Sequence, residues 1–360
     1  MRIWLALCLV LLSSVGAANP LGEHQVKRVA SVPGVIWGLT FLDSNRAFIT
    51  LRSGKAYIVH LASGKSTLIK GVPSVRASGQ GGLLDVVLSP DKKWLYFTYS
   101  KPVKEGGATT LARAKLNQNQ LIDWQDLLVT QSKNSSSRHY GSRITFDDKG
   151  HVYFGVGDRG DRDNGQNTLT HAATILRLNL DGSVPKSNPF VGDEKVLNEI
   201  YSYGHRNPQG LFYDHVTQQL WEIEHGPRGG DEINMIKAGA NYGWPVTSHG
   251  KEYWGPIKVG KAEEMEGIES PVKVYVPSIA PGSLVVYRGS AFPELNGHLL
   301  AGALKLTHLN VIKVNEQLQA VEEHRLFEEL KERIRDVDID DNGWIYFSTD
   351  SGNIYQVSPK

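Results

Sequence analysis

Cysteine is almost missing from this chain, since Cys8 is the only one in 360 residues. It lies within an apolar N-terminal run, IWLALCLVLL, which follows Arg2 and precedes the small residues of SSVGAANP. This succession is typical of a secretory signal peptide. We therefore expect residues 1–18 to be removed and residues 19–360 to form the mature domain, in the periplasm or outside the cell. That domain would contain neither a disulfide nor a reactive thiol.

Long apolar segments and an excess of charge of one sign are also lacking. The N-terminal run is well short of the roughly 20 residues that a membrane-spanning helix needs, and no later segment is long enough, so we expect no membrane span. Lysine and arginine number 39, and aspartate and glutamate number 38. Without a basic excess the chain is poorly suited to nucleic acid, whose binding depends on neutralising phosphates.

Helical periodicity is scarce as well. The only convincing helical pattern covers residues 319–334, QAVEEHRLFEELKERI, and the same residues also fit a strand followed by a short connector. Glycine is abundant, with 37 residues, and tyrosine and tryptophan together outnumber phenylalanine. This composition favours tight turns and β structure. The shortage of helices argues against Rossmann and α/β-barrel folds.

In place of helices the chain has a repeated unit of strands. Each unit has an apolar strand, a turn that contains Asp or Asn with Gly or Lys, and a second apolar or aromatic strand, often followed by a third. Six such units begin in the segments 38–61, 83–100, 142–158, 208–226, 282–305 and 334–359. Units that recur about every 40–60 residues predict the blades of a propeller, because small sheets packed radially cover each other's faces.

The predicted fold is therefore an all-β, six-bladed β-propeller. The early strand 24–32 precedes the first unit, and we expect it to complete the last blade and close the ring. A β-sandwich or two stacked β domains are the alternatives. Four longer segments are interpreted as loops on one face, near the mouth of the central channel: 101–110, 159–170, 185–199 and 245–280.

Several polar side chains lie at the start of strands or in the loops that lead into them. They are Gln80, His139, Arg206, Asn207, Lys305, Arg333 and Arg335. If the fold brings them to one face, they form a pocket with one histidine and four cations. Such a pocket suits a small polyanionic cofactor with a base beside it.

The segments that contain these residues resemble a known family. GQGGLLDVVLSPD, HYGSRITFDDKGHVYFGVGD, YGHRNPQGL, EHGPRGGDEINMIKAGANYGWP, GALK and RIRDVDIDDNGWIYFSTD are similar, in this order, to segments of the soluble quinoprotein sugar dehydrogenases, and above all of their aldose branch. The resemblance covers nearly the whole mature chain. It implies a six-bladed propeller that binds pyrroloquinoline quinone (PQQ) and calcium, oxidises an aldose and passes electrons to an unidentified acceptor.

The resemblance assigns catalytic roles to two residues. His139 matches the general base of the family, and an imidazole that titrates near neutrality suits the removal of a hydroxyl proton. Arg206 matches the residue that faces the quinone carbonyl, where a fixed cation stabilises developing negative charge. Related glucose enzymes often have an acidic residue directly before the base, whereas this chain has Arg138. The partner that orients His139 is therefore not identified.

The resemblance also assigns positions that contact the cofactor. Lys305, Arg333 and Arg335 match a clamp on the PQQ carboxylates, and arginine binds a carboxylate through two parallel hydrogen bonds. Because Arg333 and Arg335 are two residues apart, they share one face if they lie in a strand. The other positions that match cofactor contacts are Arg206, Gln80, Asn207 and Tyr253.

Calcium is implied at four positions of the segment 224–245. Gly226 and Pro227 match a pair whose backbone carbonyls hold the calcium bound to PQQ, and calcium accepts carbonyl oxygens from irregular loops. Glu232 and Tyr242 match a second, structural calcium site. The segment 155–167 is also rich in Asp, Asn and Gly, but it lacks the spacing of an EF-hand. We interpret it as a surface loop at the mouth of the site, with metal binding as the less favoured alternative.

The sequence thus predicts a calcium- and PQQ-dependent dehydrogenase that oxidises the anomeric hydroxyl of aldoses to lactones. A calcium-dependent propeller lactonase is one alternative, and it would not need the clamp of Lys305, Arg333 and Arg335. A propeller that only binds a ligand is another, but it would not need a base at His139. The chain is expected to be a monomer or a homodimer.

Overall fold

Six four-stranded antiparallel sheets are arranged around a central axis, which confirms the predicted propeller. The computed structural model describes residues 19–104 and 106–360, so the predicted signal peptide lies outside the described residues. The innermost strands of neighbouring sheets contact each other in a closed ring. Each sheet is one blade.

The strands have the following bounds. Blade 1 contains β2 (Ile36–Asp43), β3 (Arg46–Leu51), β4 (Lys55–His60) and β5 (Ser66–Leu68). Blade 2 contains β6 (Leu83–Leu88), β7 (Leu95–Val103), β8 (Gly106–Asn117) and β9 (Gln120–Val129). Blade 3 contains β10 (Ile144–Phe146), β11 (His151–Val156), β12 (Thr174–Asn179) and β13 (Ile200–Tyr203). Blade 4 contains β14 (Pro208–Asp214), β15 (Gln219–Glu224), β16 (Asp231–Ile236) and β17 (Lys273–Tyr275). Blade 5 contains β18 (Pro281–Val286), β19 (Leu299–Ala303), β20 (Leu309–Val314) and β21 (Ala320–Leu326). Blade 6 contains β22 (Ile334–Ile339), β23 (Ile345–Thr349), β24 (Asn353–Pro359) and β1 (His24–Ser31).

The described residues include only three helices, all of the short 3₁₀ type. They are Arg162–Gln166, Pro293–Leu295 and Glu328–Leu330. Over the same residues, no helix has the length and apolarity that crossing a membrane requires.

The first strand closes the ring by joining the last blade. β1 pairs antiparallel with β24, from His24 opposite Pro359 to Ser31 opposite Asn353. The prediction that the strand 24–32 completes the last blade is therefore confirmed. Val29 of this strand is buried in the apolar cluster between blades 6 and 1, so the closing strand adds apolar contacts as well as backbone hydrogen bonds.

The apolar core is divided among the junctions between blades. Each of the six junctions contains one cluster of buried side chains. At the junction of blades 1 and 2, for example, Phe48 and Phe97 pack edge to face with ring centroids 5.8 Å apart. Successive side chains of a strand point to opposite faces, so a buried strand presents one set of apolar residues to each neighbouring blade.

One buried arginine connects the blades at the axis. Arg143, directly before β10, forms salt bridges with Asp85 of β6 at 2.7 Å and with Asp336 of β22 at 2.9 Å. It also donates hydrogen bonds to the backbone carbonyls of Gln209 in β14 and Gly282 in β18, at 3.2 and 3.0 Å. These contacts link blades 2 to 6 through a single side chain.

Blade 1 is joined to the same residue by an aromatic contact. The guanidinium carbon of Arg143 lies 4.4 Å from the centre of the Trp37 ring in β2, a distance at which the cation is attracted to the ring. A cavity of about 330 Å³ lies on one side of Arg143, and Trp37 lines a second cavity on the other side. Arg143 therefore separates the two ends of the channel.

Two kinds of connection meet on the face that carries the second cavity. One is the segment that enters the innermost strand of each blade. The other is the connection from the second strand of a blade to its third strand. It lies on the same face because the second strand is antiparallel to the first and ends where the first strand began. His139 and Arg206 belong to the first kind, whereas Gly226 and Lys305 belong to the second.

The expectation of a loop at 101–110 is wrong. β7 continues to Val103 and β8 begins at Gly106, and the pairing of the two strands extends to these residues. The two strands thus form a long hairpin that extends to the mouth of the channel. The other three expected loops contain little regular structure, namely one 3₁₀ helix and β17.

The helical interpretation of 319–334 is also wrong, and the alternative of a strand with a short connector is confirmed. Residues Ala320–Leu326 form β21, which pairs with β20, and the 3₁₀ helix Glu328–Leu330 leads into β22. Pairing with an existing sheet edge outweighs the helix propensity of this segment, which is a weak preference.

Candidate active site

A histidine–aspartate pair lies at the centre of the candidate site. His139 Nδ1 is 2.6 Å from Asp158 Oδ1, and the exposed fractions of the two side chains are 12% and 2%. The same carboxylate accepts hydrogen bonds from the backbone N–H of Gly160 at 2.6 Å and from the indole N–H of Trp244 at 2.9 Å. Among the described residues, none forms a hydrogen bond with His139 Nε2. That nitrogen is therefore the free one.

The backbone of His139 is held in an unusual conformation. Its φ is 51°, in the left-handed region that side chains other than glycine rarely adopt. The backbone N–H donates to Gln80 Oε1 at 2.7 Å, which contributes to holding this conformation. Gln80, predicted as a cofactor contact, thus also positions the predicted base.

The surroundings of His139 favour its neutral form. Burial lowers the pKa of the imidazole below 6.5, and the positive charges of Arg206 and Arg138 lower it further, although Asp158 opposes them. With its Nδ1–H donated to Asp158, the neutral ring has a lone pair on Nε2. His139 can therefore accept a proton at Nε2 near neutral pH.

Arg206 and Asn207 are held by a buried glutamate. Glu224 Oε2 accepts the backbone N–H groups of both residues, and Arg206 Nη1 donates to the carbonyls of His225 and Gly226 at 2.9 and 2.6 Å. Arg206 Nε and Asn207 Nδ2 are buried and have no acceptor among the described residues. Buried donors are normally paired, so these two fit a ligand that has carbonyl or carboxylate oxygens.

A cavity of about 170 Å³ lies at the mouth of the channel. Gln80, Arg333 and Arg335 line it together with Asp350. The Asp350 carboxylate accepts hydrogen bonds from Arg333 Nε at 2.8 Å and from Arg335 Nε at 2.9 Å. The two arginines therefore lie side by side, and they carry one more positive charge than the aspartate neutralises.

The histidine that lines this cavity is His225, and its surroundings differ from those of His139. His225 Nε2 lies 2.6 Å from the carbonyl oxygen of Pro281, and burial is the main cause that lowers its pKa to about 3. The His225 ring is therefore neutral at ordinary pH. It has no carboxylate partner among the described residues, so of these two histidines only His139 is paired with an acid.

A smaller cavity of about 10 Å³ adjoins the first, with room for about one water-sized occupant. It brings together all four predicted metal positions and the predicted catalytic arginine: Gly226, Pro227, Glu232, Tyr242 and Arg206. The carbonyl of Gly226 already accepts a hydrogen bond from Arg206, and its second lone pair remains. The hydroxyl of Tyr242 donates to the carbonyl of Met235 at 2.8 Å, so the hydroxyl is already engaged in a contact within blade 4.

Three buried or partly buried carboxyl groups lie together beside this smaller cavity, those of Glu222, Glu224 and Glu232. Burial, together with the charge of Glu224, raises the pKa of the Glu222 and Glu232 carboxyls well above 4.5. The contacts of Glu224 with Arg206 and Asn207 are made through their backbone. These hydrogen bonds therefore involve no guanidinium group, and the charge of Arg206 does not neutralise Glu224 through them.

Lys305 and Tyr253 line neither cavity. Lys305 is exposed and follows Leu304, whose carbonyl accepts a hydrogen bond from Arg333 Nη1 at 2.8 Å. Tyr253 is 66% exposed. These two predicted cofactor contacts lie at the rim. Gln80 and Arg333 line the larger cavity but are exposed as well, whereas Arg206, Asn207 and Arg335 are buried.

The loop that contains Tyr253 is tied to another loop of the same rim. Arg162 Nη1 and Nη2 donate to the two carboxylate oxygens of Glu252 at 2.7 and 2.8 Å. Arg162 belongs to the connection between β11 and β12, so this two-bonded contact joins blades 3 and 4. We call it the rim latch.

Sequence reasoning missed Asp158 and Asp350. The interpretation of 155–167 as a surface loop is wrong for Asp158, which is 1% exposed. The acid sought at the position of Arg138 is instead supplied by this later residue. A signal was present, because both aspartates lie within two residues of the end of the second strand of a blade, in FGVGD and YFSTD. Aligning the repeats would have placed them on the same face.

Comparisons with known proteins identify a family that matches nearly the whole described chain. The family model described as Glucose / Sorbosone dehydrogenase matches residues 32–356. The aldose sugar dehydrogenase YliI of Escherichia coli is 37% identical over 334 residues, which cover 90% of each chain.

Two solved structures are similar over nearly their full length. The apo form of the soluble aldose sugar dehydrogenase of Escherichia coli superposes with a TM-score of 0.89 at 35% identity, covering 94% of this chain and 100% of that one. The PQQ-bound form of an aldose sugar dehydrogenase from Streptomyces coelicolor has a TM-score of 0.77 at 26% identity, covering 93% and 98%.

Proposed function

This chain belongs to the glucose/sorbosone dehydrogenase family, and on that basis we propose that it oxidises the anomeric hydroxyl of an aldose to a lactone with PQQ and calcium. We place this activity in the periplasm or outside the cell. The observation that carries the proposal is the pair of His139 and Asp158 beside two buried donors without protein acceptors.

The residues at the mouth fit a planar tricarboxylate. Arg333 and Arg335 line the larger cavity, and their excess positive charge would attract carboxylates. Lys305 at the rim would add a third positive charge. Arg206 Nε and Asn207 Nδ2 lack acceptors, and the oxygens of such a ligand would supply them. The relative from Streptomyces coelicolor, described as PQQ-bound, supports this choice of cofactor.

When bound, PQQ supplies the hydride acceptor and calcium supplies a Lewis acid that polarises it. The carbonyls of Gly226 and Pro227 would hold that calcium. Glu232, through its carboxylate, and Tyr242, through its backbone carbonyl, would complete the ligands of the same ion, because this cavity has room for about one occupant. All four residues line one small cavity rich in oxygen atoms, which is the kind of ligand that calcium prefers.

His139 acts as the general base in this proposal. Its free Nε2 accepts the proton of the anomeric hydroxyl while hydride leaves the neighbouring carbon. Asp158 holds the ring through Nδ1 at 2.6 Å and stabilises the imidazolium that forms. Because Asp158 is itself fixed by Gly160 and Trp244, the ring needs little reorganisation.

Arg206 supplies a fixed positive charge beside the base. Its backbone is held by Glu224 and its Nη1 by two carbonyls, so the Nε–H is already oriented when negative charge develops on a nearby oxygen. A preoriented donor in a buried site stabilises such charge more than water does. Asn207 would add a second donor to the same ligand.

The test is reconstitution of the purified apoprotein with PQQ and calcium, followed by dye-linked oxidation of several aldoses. We expect activity only when both are added, and binding of PQQ should change its absorption spectrum. In His139→Ala the spectrum should still change, while kcat/KM should fall roughly 10²- to 10⁴-fold, the usual contribution of a general base.

A matched control is available on the opposite face. His215 Nδ1 lies 2.6 Å from Asp148 Oδ1, the same pairing as at His139, and His215→Ala should leave the activity unchanged. Absence of aldose oxidation by the fully reconstituted protein would overturn the proposal. So would lactone hydrolysis that needs calcium but no PQQ, since that is the behaviour of a lactonase.

A further inference from the structure

Blade 4 contains a cluster of buried acceptor atoms that the proposed function does not use. Glu222 and Glu224 are two residues apart in β15, so their side chains share one face, and their cross-strand neighbours in β16 are Asn234 and Glu232. Glu222 and Glu224 are 0% and 4% exposed. Within the described residues, the one side chain that forms an ion pair with these glutamates is that of His205.

Three buried atoms of this cluster lack hydrogen-bond partners in the described part of the chain, and each of them can act as an acceptor. Glu222 Oε1, Asn234 Oδ1 and His205 Nδ1 are buried and have no hydrogen-bond partner among the described residues. His205 Nε2 lies 2.9 Å from Ser202 Oγ. When Nε2–H donates to that hydroxyl, the lone pair of Nδ1 faces Glu224 Oε1 at 3.6 Å. Buried acceptors that face each other repel unless a proton or a cation lies between them.

The spacing of the atoms fits one metal ion. His205, Glu222 and Glu224 each offer one atom, and these three atoms lie within 4.8 Å of one another. Nitrogen and oxygen ligands at about 2.0–2.2 Å from an ion are separated from each other by roughly 3–4.4 Å. We propose that His205, Glu222 and Glu224 bind one divalent transition ion of the Zn²⁺ or Mn²⁺ type.

The imidazole decides the class of ion. Calcium and magnesium take oxygen ligands. Zinc accepts an imidazole nitrogen together with carboxylates, and so does manganese in sites built from glutamates and histidines. A ligand histidine normally has its other ring nitrogen fixed by a hydrogen bond, which is the contact that His205 makes with Ser202. This site shares no ligand with the calcium positions proposed above, and its test does not depend on PQQ.

The ion would stabilise the segment that contains the catalytic arginine. Glu224 offers Oε1 to the cluster, while its Oε2 accepts the backbone N–H groups of Arg206 and Asn207. His205 is the residue directly before them. An ion bound to His205 and Glu224 would therefore fix both ends of this contact and compensate the buried negative charge.

The experiment measures metal content without reference to turnover. The purified protein is stripped with a strong chelator, saturated with excess calcium, and incubated with Zn²⁺ or Mn²⁺. After desalting, the metals are counted by mass spectrometry and thermal unfolding is followed. We expect about one transition ion per chain to be retained in the presence of calcium, and a higher unfolding temperature than with calcium alone.

Two variants locate the ion. Glu222→Gln keeps the size of the side chain but removes the charged ligand, so the transition ion should be lost while calcium is retained. Glu232→Gln, on the neighbouring strand, is the matched control and should retain the transition ion. Co²⁺ serves as a spectroscopic probe, and its visible absorption band should be lost in His205→Gln.

Two results would overturn the assignment. If the stripped wild-type protein retains no transition ion in the presence of calcium, the cluster binds a proton and no metal. If Glu222→Gln retains as much Zn²⁺ or Mn²⁺ as the wild type, the ion is bound elsewhere. The first result needs no variant, so it stands even if a substituted protein fails to fold.

Discussion

At the scale of single residues, the candidate base depends on a partner that is distant in sequence. His139 and Asp158 are 19 residues apart and come from two different connections of blade 3. Asp158 is held by two donors besides His139, so the carboxylate is a fixed support for the ring. The arginine next to the base, Arg138, has its own effect, since its charge lowers the pKa of His139.

The pKa of His139 leads to a prediction about pH. A general base works in its deprotonated form, so kcat/KM should fall as the pH decreases through the pKa of His139. The midpoint of this fall, the acid limb of the profile, should lie below 6.5, which is the usual pKa of histidine. Asp158 raises the pKa of His139, so Asp158→Asn should move the acid limb to lower pH. The same substitution should also reduce kcat, because the imidazole ring loses the partner that orients it. The measurement is a pH profile of the reconstituted enzyme.

The control for this profile is Asp148→Asn, which removes the same kind of partner from His215 on the opposite face. Its profile should match that of the wild type. A limb that moves to higher pH in Asp158→Asn, or does not move, would contradict the role given to Asp158.

At the scale of elements, the rim is built from connections of two blades. The rim latch of Arg162 and Glu252 joins the β11–β12 connection to the loop that contains Tyr253. Its arginine side chain is 44% exposed, and exposed ion pairs contribute little to stability. The latch therefore affects the order of the loop more than the stability of the molecule.

This gives a prediction for Arg162→Gln. The unfolding temperature should change little, while trypsin should cut faster after Lys251, Lys258 or Lys261 in the released loop. The measurement is limited proteolysis with mass spectrometry of the fragments. Lys115→Gln breaks an exposed pair in blade 2 and should leave the cleavage rate unchanged. An unchanged rate in Arg162→Gln would show that the latch does not order the loop.

The elements also show what could be predicted from the sequence. The strands and their number follow from a short, repeated pattern, so the sequence suffices for them. The residues that enter innermost strands, such as His139 and Arg206, were found because they precede that pattern. Asp158 and Asp350 were missed because their role depends on the return of an antiparallel strand to the same edge, which becomes visible only when blades are aligned.

The loops are less predictable for another reason. The hairpin of β7 and β8 depends on pairing between strands, and the path of residues 245–272 depends on contacts with other blades, as the latch shows. The cavity that gathers Gly226, Pro227, Glu232 and Tyr242 likewise results from packing, whereas the sequence alone suggested two separate calcium sites.

At the scale of the whole molecule, Arg143 joins all six blades at the axis. Its side chain is 6% exposed, and the two aspartates that it pairs with are buried. Removing one partner of a buried ion pair leaves an uncompensated charge and costs about 3–5 kcal/mol. Arg143 is therefore expected to contribute strongly to the stability of the ring.

We expect Arg143→Met to lower the free energy of unfolding by about 3–5 kcal/mol, measured by urea denaturation. Adding Asp85→Asn and Asp336→Asn to this variant should recover part of the loss, because no buried charge is then left unpaired. Arg46→Met, which removes an exposed pair, should cost at most about 1 kcal/mol. Equal stability of Arg143→Met and the wild type would refute this account.

The joining of β1 to β24 has a consequence for the order of events during folding. Gln25 and Ser358, bonded to each other, are 333 positions apart, so the ring stays open until nearly the last residue is available. Until then the sheet edge of β1 has no partner, and the side of blade 1 that faces blade 6 is uncovered. β1 precedes all other strands along the chain, yet it is among the last to find its place. During that interval its unpaired edge is the part of the described chain most in need of protection from other chains.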